Sequence, residues 1–280
     1  MNRMLLIGVV LGFLNSLSGH RIDHCYFAGK MNEGATAVIW LAEGTAASHR
    51  IDSNHFGPRE RLGKNGGETL RLGDSRTSML VASCVVENNL FEKCDGEAEC
   101  ISNKSCGNIY RSNHFIGVSG TLTLRHGNDC LVEGNVFLGN GARGTGGVRV
   151  IGEGHVITGN HFQDLSGDDE RSAMCFMMGI PDSPANGYFQ VKRVKVIKNV
   201  FLNCQHNILI GMEGHSKATL PPINTEISGS LIQTNQGKAF EILCDASGVE
   251  TEGNSINAKL TRAGVKRLEP GSVGPSWWEN

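Results

Sequence analysis

Asn113-His114-Phe115, then Leu122-Thr123-Leu124, then Asn135-Val136-Phe137: this stretch decides the fold, because its beginning and its end are the same motif. An apolar strand, a polar residue or two and then Asn-x-Phe recur along the chain. The copies are Cys25-Tyr26-Phe27, Asn54-His55-Phe56, Asn89-Leu90-Phe91, the two above, Asn160-His161-Phe162 and Asn199-Val200-Phe201, with degenerate forms at Ser230-Leu231-Ile232 and Asn254-Ser255-Ile256. Successive starts lie 29, 35, 24, 22, 25, 39, 31 and 24 residues apart. A base period in the low twenties with occasional insertions is the signature of a solenoid.

The segments between motifs are short β runs such as Val148-Arg149-Val150-Ile151 and Val194-Lys195-Val196-Ile197, punctuated by Gly and Asn, with no helical spacing of apolar positions. The expected fold is therefore all-β: a single-domain parallel β-helix whose coils are two or three strands joined by tight turns. Asn suits the stacked corners because it tolerates left-handed backbone and bonds locally. Phe or Ile two residues later fills an interior column. Coils stack about 4.8 Å apart, so residues one period apart become neighbours. Insertions near 57–68, 165–190 and 212–222 read as rim loops that wall a groove.

Composition agrees. Gly is abundant at 37, Pro scarce at 7 and aromatics only 6%. With 26 Lys plus Arg against 28 Asp plus Glu, the net charge of −2 argues against a nucleic-acid partner. Nine cysteines at irregular spacing, none as CxxC, read as buried apolar thiols rather than as a disulfide framework or a zinc site. Residues 1–20 read in two ways. Met1 to Leu14 has the n- and h-regions of a leader, with Ser16-Leu17-Ser18 as a weak cleavage site and a secreted or periplasmic location as the consequence. The same residues also read as a first strand or cap for a helix spanning 21–280. No later stretch is long and apolar enough to cross a membrane.

Chemistry concentrates in Asp95-Gly96-Glu97-Ala98-Glu99, Ser102-Asn103-Lys104-Ser105 and Leu124-Arg125-His126. Glu97 and Glu99, two residues apart, share one face of a strand, and Lys104 follows just beyond it. Lys104, Arg125 and Arg149 are spaced 21 and 24 residues apart, about one coil each, which stacks them in a column. One coil earlier lies Asn65 in Lys64-Asn65-Gly66-Gly67-Glu68. Carboxylates with an amide oxygen are hard donors, suited to Ca²⁺ rather than zinc. Asn103-Lys104-Ser105 is also a glycosylation sequon, but a glycan there would block the site.

The segments Asn65-Gly66-Gly67-Glu68-Thr69, Cys94-Asp95-Gly96-Glu97, Ser102-Asn103-Lys104-Ser105-Cys106, Leu122-Thr123-Leu124-Arg125-His126-Gly127-Asn128 and Gly147-Val148-Arg149-Val150-Ile151-Gly152-Glu153 together resemble polysaccharide lyase family 6, which contains alginate lyases and chondroitinase B. The resemblance runs from about Arg21 to Trp277. It implies a right-handed parallel β-helix that cleaves uronic-acid polymers by β-elimination. It also implies Ca²⁺ held by Asn65, Glu97 and Glu99, Lys104 as base, Arg125 as acid, and His126 and Arg149 in contact with substrate. Family members carry additional coils and a cap before the segment matching Arg21, where only about 20 residues stand here. A shortened groove, with activity reduced or lost, is the corresponding expectation.

Elementary chemistry fits those implied roles. The C5 proton of a uronate is hard to remove because the neighbouring carboxylate is already negative, and a cation bridging that carboxylate stabilises the enolate. A free lysine titrates at ~10.4. One unit charge at 4 Å contributes about 4 kcal/mol at an effective dielectric near 20, or about three pK units, so nearby cations bring Lys104 towards neutrality. Arginine is a poor proton donor, and Arg125 has the alternative of holding the departing 4-oxygen. The expected partner is an anionic polysaccharide, most plausibly alginate. Three alternatives stay open: a dermatan-sulfate lyase, favoured by Lys192-Arg193-x-Lys195; a C5-epimerase; and a non-catalytic carbohydrate-binding β-helix.

Overall fold

The computed structural model describes residues 5–7, 11–12, 18–43, 46–235, 237–257, 268–269 and 272–274. Among them the chain winds through three parallel sheets of ten, nine and nine strands, each strand pairing with the one three positions away in sequence. The only helical elements described are two single 3-10 turns, Ser75–Thr77 and Asp169–Arg171. No described helix is long and apolar enough to cross a membrane. This is the expected right-handed parallel β-helix.

The repeated motif builds the interior of the ten-stranded sheet. Phe27, Phe56, Phe91, Phe115, Phe137, Phe162 and Phe201 stack in one column, with centroids 4.5–4.9 Å apart and planes within 11° of parallel. All are buried. Beside them runs a ladder of buried asparagines. The Nδ2 group of Asn54 donates to Asn89 Oδ1, and the same step repeats through Asn113, Asn135, Asn160 and Asn199 at 2.9–3.0 Å. Each Nδ2 also donates to a carbonyl one strand back in the coil before, as Asn113 does to Val86 at 2.8 Å. Each Oδ1 accepts as well from the ladder residue's backbone N–H in the preceding coil, as Asn113 does from Asn89. Every polar atom of the side chain is thus used in a place where an unused one costs about 1–3 kcal/mol.

One expectation about these corners needs correction. The ladder asparagines are not themselves left-handed. The positive φ falls one residue earlier, at Ser53, Asn88, Ser112, Gly134, Gly159 and Lys198. The corner needs the reversal before the side chain that seals it.

The nine-stranded sheet containing Glu99–Lys104, Thr121–His126 and Val148–Val150 carries the chemistry. Its inward positions pair Ile101 with Leu70 and Leu122, then Leu122 with Val148. Asn103 also points inward and is fully buried. Its Oδ1 accepts from Asn108 Nδ2 and Tyr110 Oη, both at 2.7 Å, and its Nδ2 donates to the Ser105 and His126 carbonyls. An amide so enclosed is closed to glycosylation. All nine cysteines are free thiols, and seven are buried.

At one end, Leu5–Ile7 pairs with Tyr26–Ala28, and Leu11–Gly12 pairs with Ala37–Val38. Most of the leader reading, including Ser16 and Leu17, lies outside the described residues. So does Trp277 at the other end of the resemblance.

Two outcomes follow from this packing. Asn113→Ala removes four hydrogen bonds at a fully buried rung, and urea unfolding is expected to show a loss of about 3 kcal/mol. A loss under 0.5 kcal/mol contradicts the ladder's role. The second concerns acid stability. His155 is fully buried, its Nδ1 accepting from the Cys130 N–H and its Nε2 facing the Ile151 carbonyl, and burial pushes its pKa down to about 4. The unfolded chain, with a histidine near ~6.5, then binds the extra proton first, so stability declines as pH falls from ~6.5 towards 4. His155→Gln should flatten that limb in melts followed against pH. An unchanged slope contradicts it.

Candidate active site

Strand alternation sends Ser102 and Lys104 to the outer face of the nine-stranded sheet, opposite the buried Ile101 and Asn103. A shift in pairing between Glu99 and Ile101 brings Glu99 to that same face, where Ser102 Oγ donates to its Oε2. A second shift follows Asn103. Lys104 pairs with His126, leaving Arg125 as the extra residue of a bulge that Asn103 supports through the His126 carbonyl.

The expected geometry is corrected in two respects. Glu97 is not on the strand with Glu99 but in the turn before it, and Lys104 is the strand's last residue rather than beyond it. The three cations also do not share one level: Arg149 pairs with Thr123 and so stands below Arg125. The column is staggered because the bulge adds a residue that the spacing does not reveal.

All seven expected site residues nevertheless converge. Asn65, Glu99, Lys104, Arg125 and His126 line one cavity of about 340 Å³, with Ser75, Asn186 and Tyr188. Asn65 and Glu99 also border a second cavity of about 430 Å³, lined by Glu97, Arg149, Arg61, Lys64 and Arg171. Glu99 Oε1 sits between Arg125 Nε at 3.7 Å and Arg149 Nη1 at 3.6 Å. His126 Nε2 faces Arg125 Nη1 at 2.9 Å, and burial, then Arg125, then Lys104 push its pKa down to about 3. His126 is therefore neutral at any ordinary pH.

The acidic side is built on close backbone contact. A Cβ at Gly67 would stand 2.4 Å from the Gly96 carbonyl oxygen, so only glycine lets the two turns meet. That contact lets the Gly66 and Gly67 N–H groups donate to Glu97 Oε2 at 2.7 and 3.2 Å. Burial and then the neighbouring Glu68 nevertheless push Glu97 up to about 7. Glu68 is buried; its Oε1 lies 4.0 Å from both Lys104 Nζ and Arg71 Nη1, while its Oε2 has no hydrogen-bond partner. An orphaned carboxylate oxygen beside a carboxyl that resists ionising marks a place where positive charge is lacking. The donors there are carboxylate and amide oxygens, a set that fits a hard divalent cation. Among the described residues no three His, Cys, Asp or Glu side chains form a metal-holding group by themselves. The expected set has two carboxylates and one amide.

The sequence reading missed two participants. Glu68 stands two residues before Leu70 just as Glu99 stands two before its partner Ile101, a signal that the insertion between them obscured. Tyr188 comes from the insertion 165–190, where no period exists to place it. Arg125 stacks on its ring at 4.4 Å and Arg149 at 5.7 Å.

Comparison with known proteins agrees with this architecture. The family model for chondroitinase B matches residues 15–268. A solved structure described as the PL6 family alginate lyase AlyGC is 39% identical, with a TM-score of 0.84, covering 91% of this chain and 36% of that one. A mannuronic acid specific polysaccharide family 6 lyase from human gut microbiota is 30% identical, with a TM-score of 0.81 and coverages of 95% and 66%. A PL6 alginate lyase solved with a trisaccharide shares the fold at 21% identity, with a TM-score of 0.77 and coverages of 94% and 64%. The chain thus spans about one to two thirds of the length of these structures. A search of curated proteins finds no match. Matched over most of its length by the family model, and superimposing on solved lyases at up to 39% identity, the chain belongs to the chondroitinase B family, polysaccharide lyase family 6.

Proposed function

We propose that the protein is a lyase that cleaves a uronic-acid polymer, alginate first, by Ca²⁺-assisted β-elimination. One observation carries the reading: Lys104 and Arg125 meet in a single cavity bordered by Asn65 and Glu99. Lys104 is the group that takes the C5 proton. Arg125 keeps its charge and fixes the sugar and its neighbours by hydrogen bonds. Neutral His126 accepts from donors without repelling them, and Arg149 offers a guanidinium to the substrate's carboxylates. Asn65, Glu97 and Glu99 are the residues to hold Ca²⁺, with Glu68 behind them. When bound, that ion supplies charge that neutralises the uronate carboxylate.

Alginate is favoured over dermatan sulfate because both similar structures at 30% identity or above are described as alginate- or mannuronate-directed. The cationic run offered for a sulfated substrate lies away from both cavities. Its Arg193 pairs with Glu153 at 3.1 Å, and Lys195 begins a strand of another sheet. A polymer of this kind is met outside the cytoplasm, so the secreted or periplasmic expectation belongs to the same proposal.

The test is ultraviolet absorbance of a new 4,5-double bond on alginate, its M- and G-rich blocks and dermatan sulfate, with Ca²⁺ or chelator. Lys104→Ala is expected to lower the rate by about 10²–10⁴-fold. Ca²⁺ is expected to raise the melting temperature of the wild type and not of Glu97→Gln. Binding without any absorbance returns the chain to a carbohydrate-binding role, and proton exchange without cleavage to epimerisation.

A further inference from the structure

Arg125 has few donors left for a leaving group. Nη1 is shared between His126 Nε2 at 2.9 Å and the Gly187 carbonyl at 2.6 Å, Nη2 donates to the Asn186 carbonyl at 3.2 Å, and Nε faces Glu99. A guanidinium also does not give up its proton within the ordinary pH range. The 4-oxygen of a cleaved glycosidic bond still needs one.

Tyr188 lines the same cavity as Lys104. Its phenol oxygen accepts from Arg149 Nη2 at 3.0 Å, and among the described residues its own O–H donates to no protein acceptor. That arrangement leaves the proton free and sets a donor on the oxygen that would lose it, with the Arg125 and Arg149 guanidinium groups against the ring to stabilise a phenolate. The ring is fixed in place. A Cβ at position 214 would fall 2.6 Å from it, so glycine there is what admits the ring, and the Tyr188 carbonyl accepts from Ile180 at 2.8 Å.

We propose that Tyr188 is the general acid of the elimination, an assignment that rests on the lyase reading. Lys104 Nζ takes the C5 proton, and the C–H electron pair becomes the C4–C5 double bond. The C4–O4 bond breaks with its pair on oxygen, and that oxygen takes the Tyr188 hydroxyl proton. Water then returns a proton to the phenolate and removes one from the Lys104 ammonium. Arg125 acts as a positioning residue and not as the acid.

The experiment compares two substrates: an alginate trisaccharide, and a uronic-acid disaccharide whose 4-oxygen carries a nitrophenyl group that departs without a proton. Tyr188→Phe keeps the ring and its stacking and loses only the hydroxyl. It is expected to slow the trisaccharide about 10²–10³-fold and the nitrophenyl ether less than threefold, while Lys104→Ala slows both. Equal slowing of both substrates by Tyr188→Phe, or of neither, overturns the assignment while leaving the lyase reading intact. A wild type that forms no double bond from either substrate overturns that reading, and the assignment with it.

Discussion

The asparagine ladder is the constraint on which the remaining structure depends. A parallel β-helix is built from short strands that are individually weak, and a slip of one residue turns every side chain to the opposite face. Six buried amides hydrogen-bonded to one another forbid that slip, because any shift strands several buried donors and acceptors at once. The adjacent phenylalanine column fills the space at strand spacing and adds apolar burial to the same register. The ladder lies in a different sheet from the chemistry. It acts on the site by fixing the height of each coil.

Given that height, the site follows from two local departures from regularity. The shift at Cys100 brings Glu99 outward, and the bulge at Arg125 sets a guanidinium beside the level of Lys104. Asn103, enclosed by Asn108, Tyr110 and Ser105, links the core to that bulge through the His126 carbonyl. Around it the charges are arranged unequally. One carboxylate, Glu99, is bracketed by two arginines, whereas Glu68 and Glu97 crowd together with too little cation nearby. That imbalance is the physical reason to expect a divalent ion on the Glu97 side and an anionic sugar across it.

Much of this was legible because the solenoid writes its geometry into the period. Asn113, Phe115 and their copies announce the coils, and the spacing of Lys104, Arg125 and Arg149 puts them on one sheet. What the period does not carry was misread. Glu97 was assigned to a strand because alternation assumes unbroken pairing, which the turn at Gly96 interrupts. The cationic column was drawn level because a bulge leaves no mark in spacing. The left-handed corner was given to asparagine on propensity, although the amide's task is to bond outward to the next coil while its predecessor makes the turn. Tyr188 was invisible, since an insertion is placed by its contacts with Gly214 and Arg125 and not by any repeat.

The central claim is that coil registry gathers an acidic cradle, a lysine and a phenol around one sugar acid. It is tested most directly by the crystal structure of the Lys104→Ala protein grown with Ca²⁺ and an alginate tetramer. The account predicts a uronate whose carboxylate faces Asn65, Glu97 and Glu99, whose C5 points at residue 104, and whose 4-oxygen lies within hydrogen-bond reach of Tyr188 Oη. A tetramer lying along another sheet, or a cation held away from Glu97 and Glu99, would contradict it.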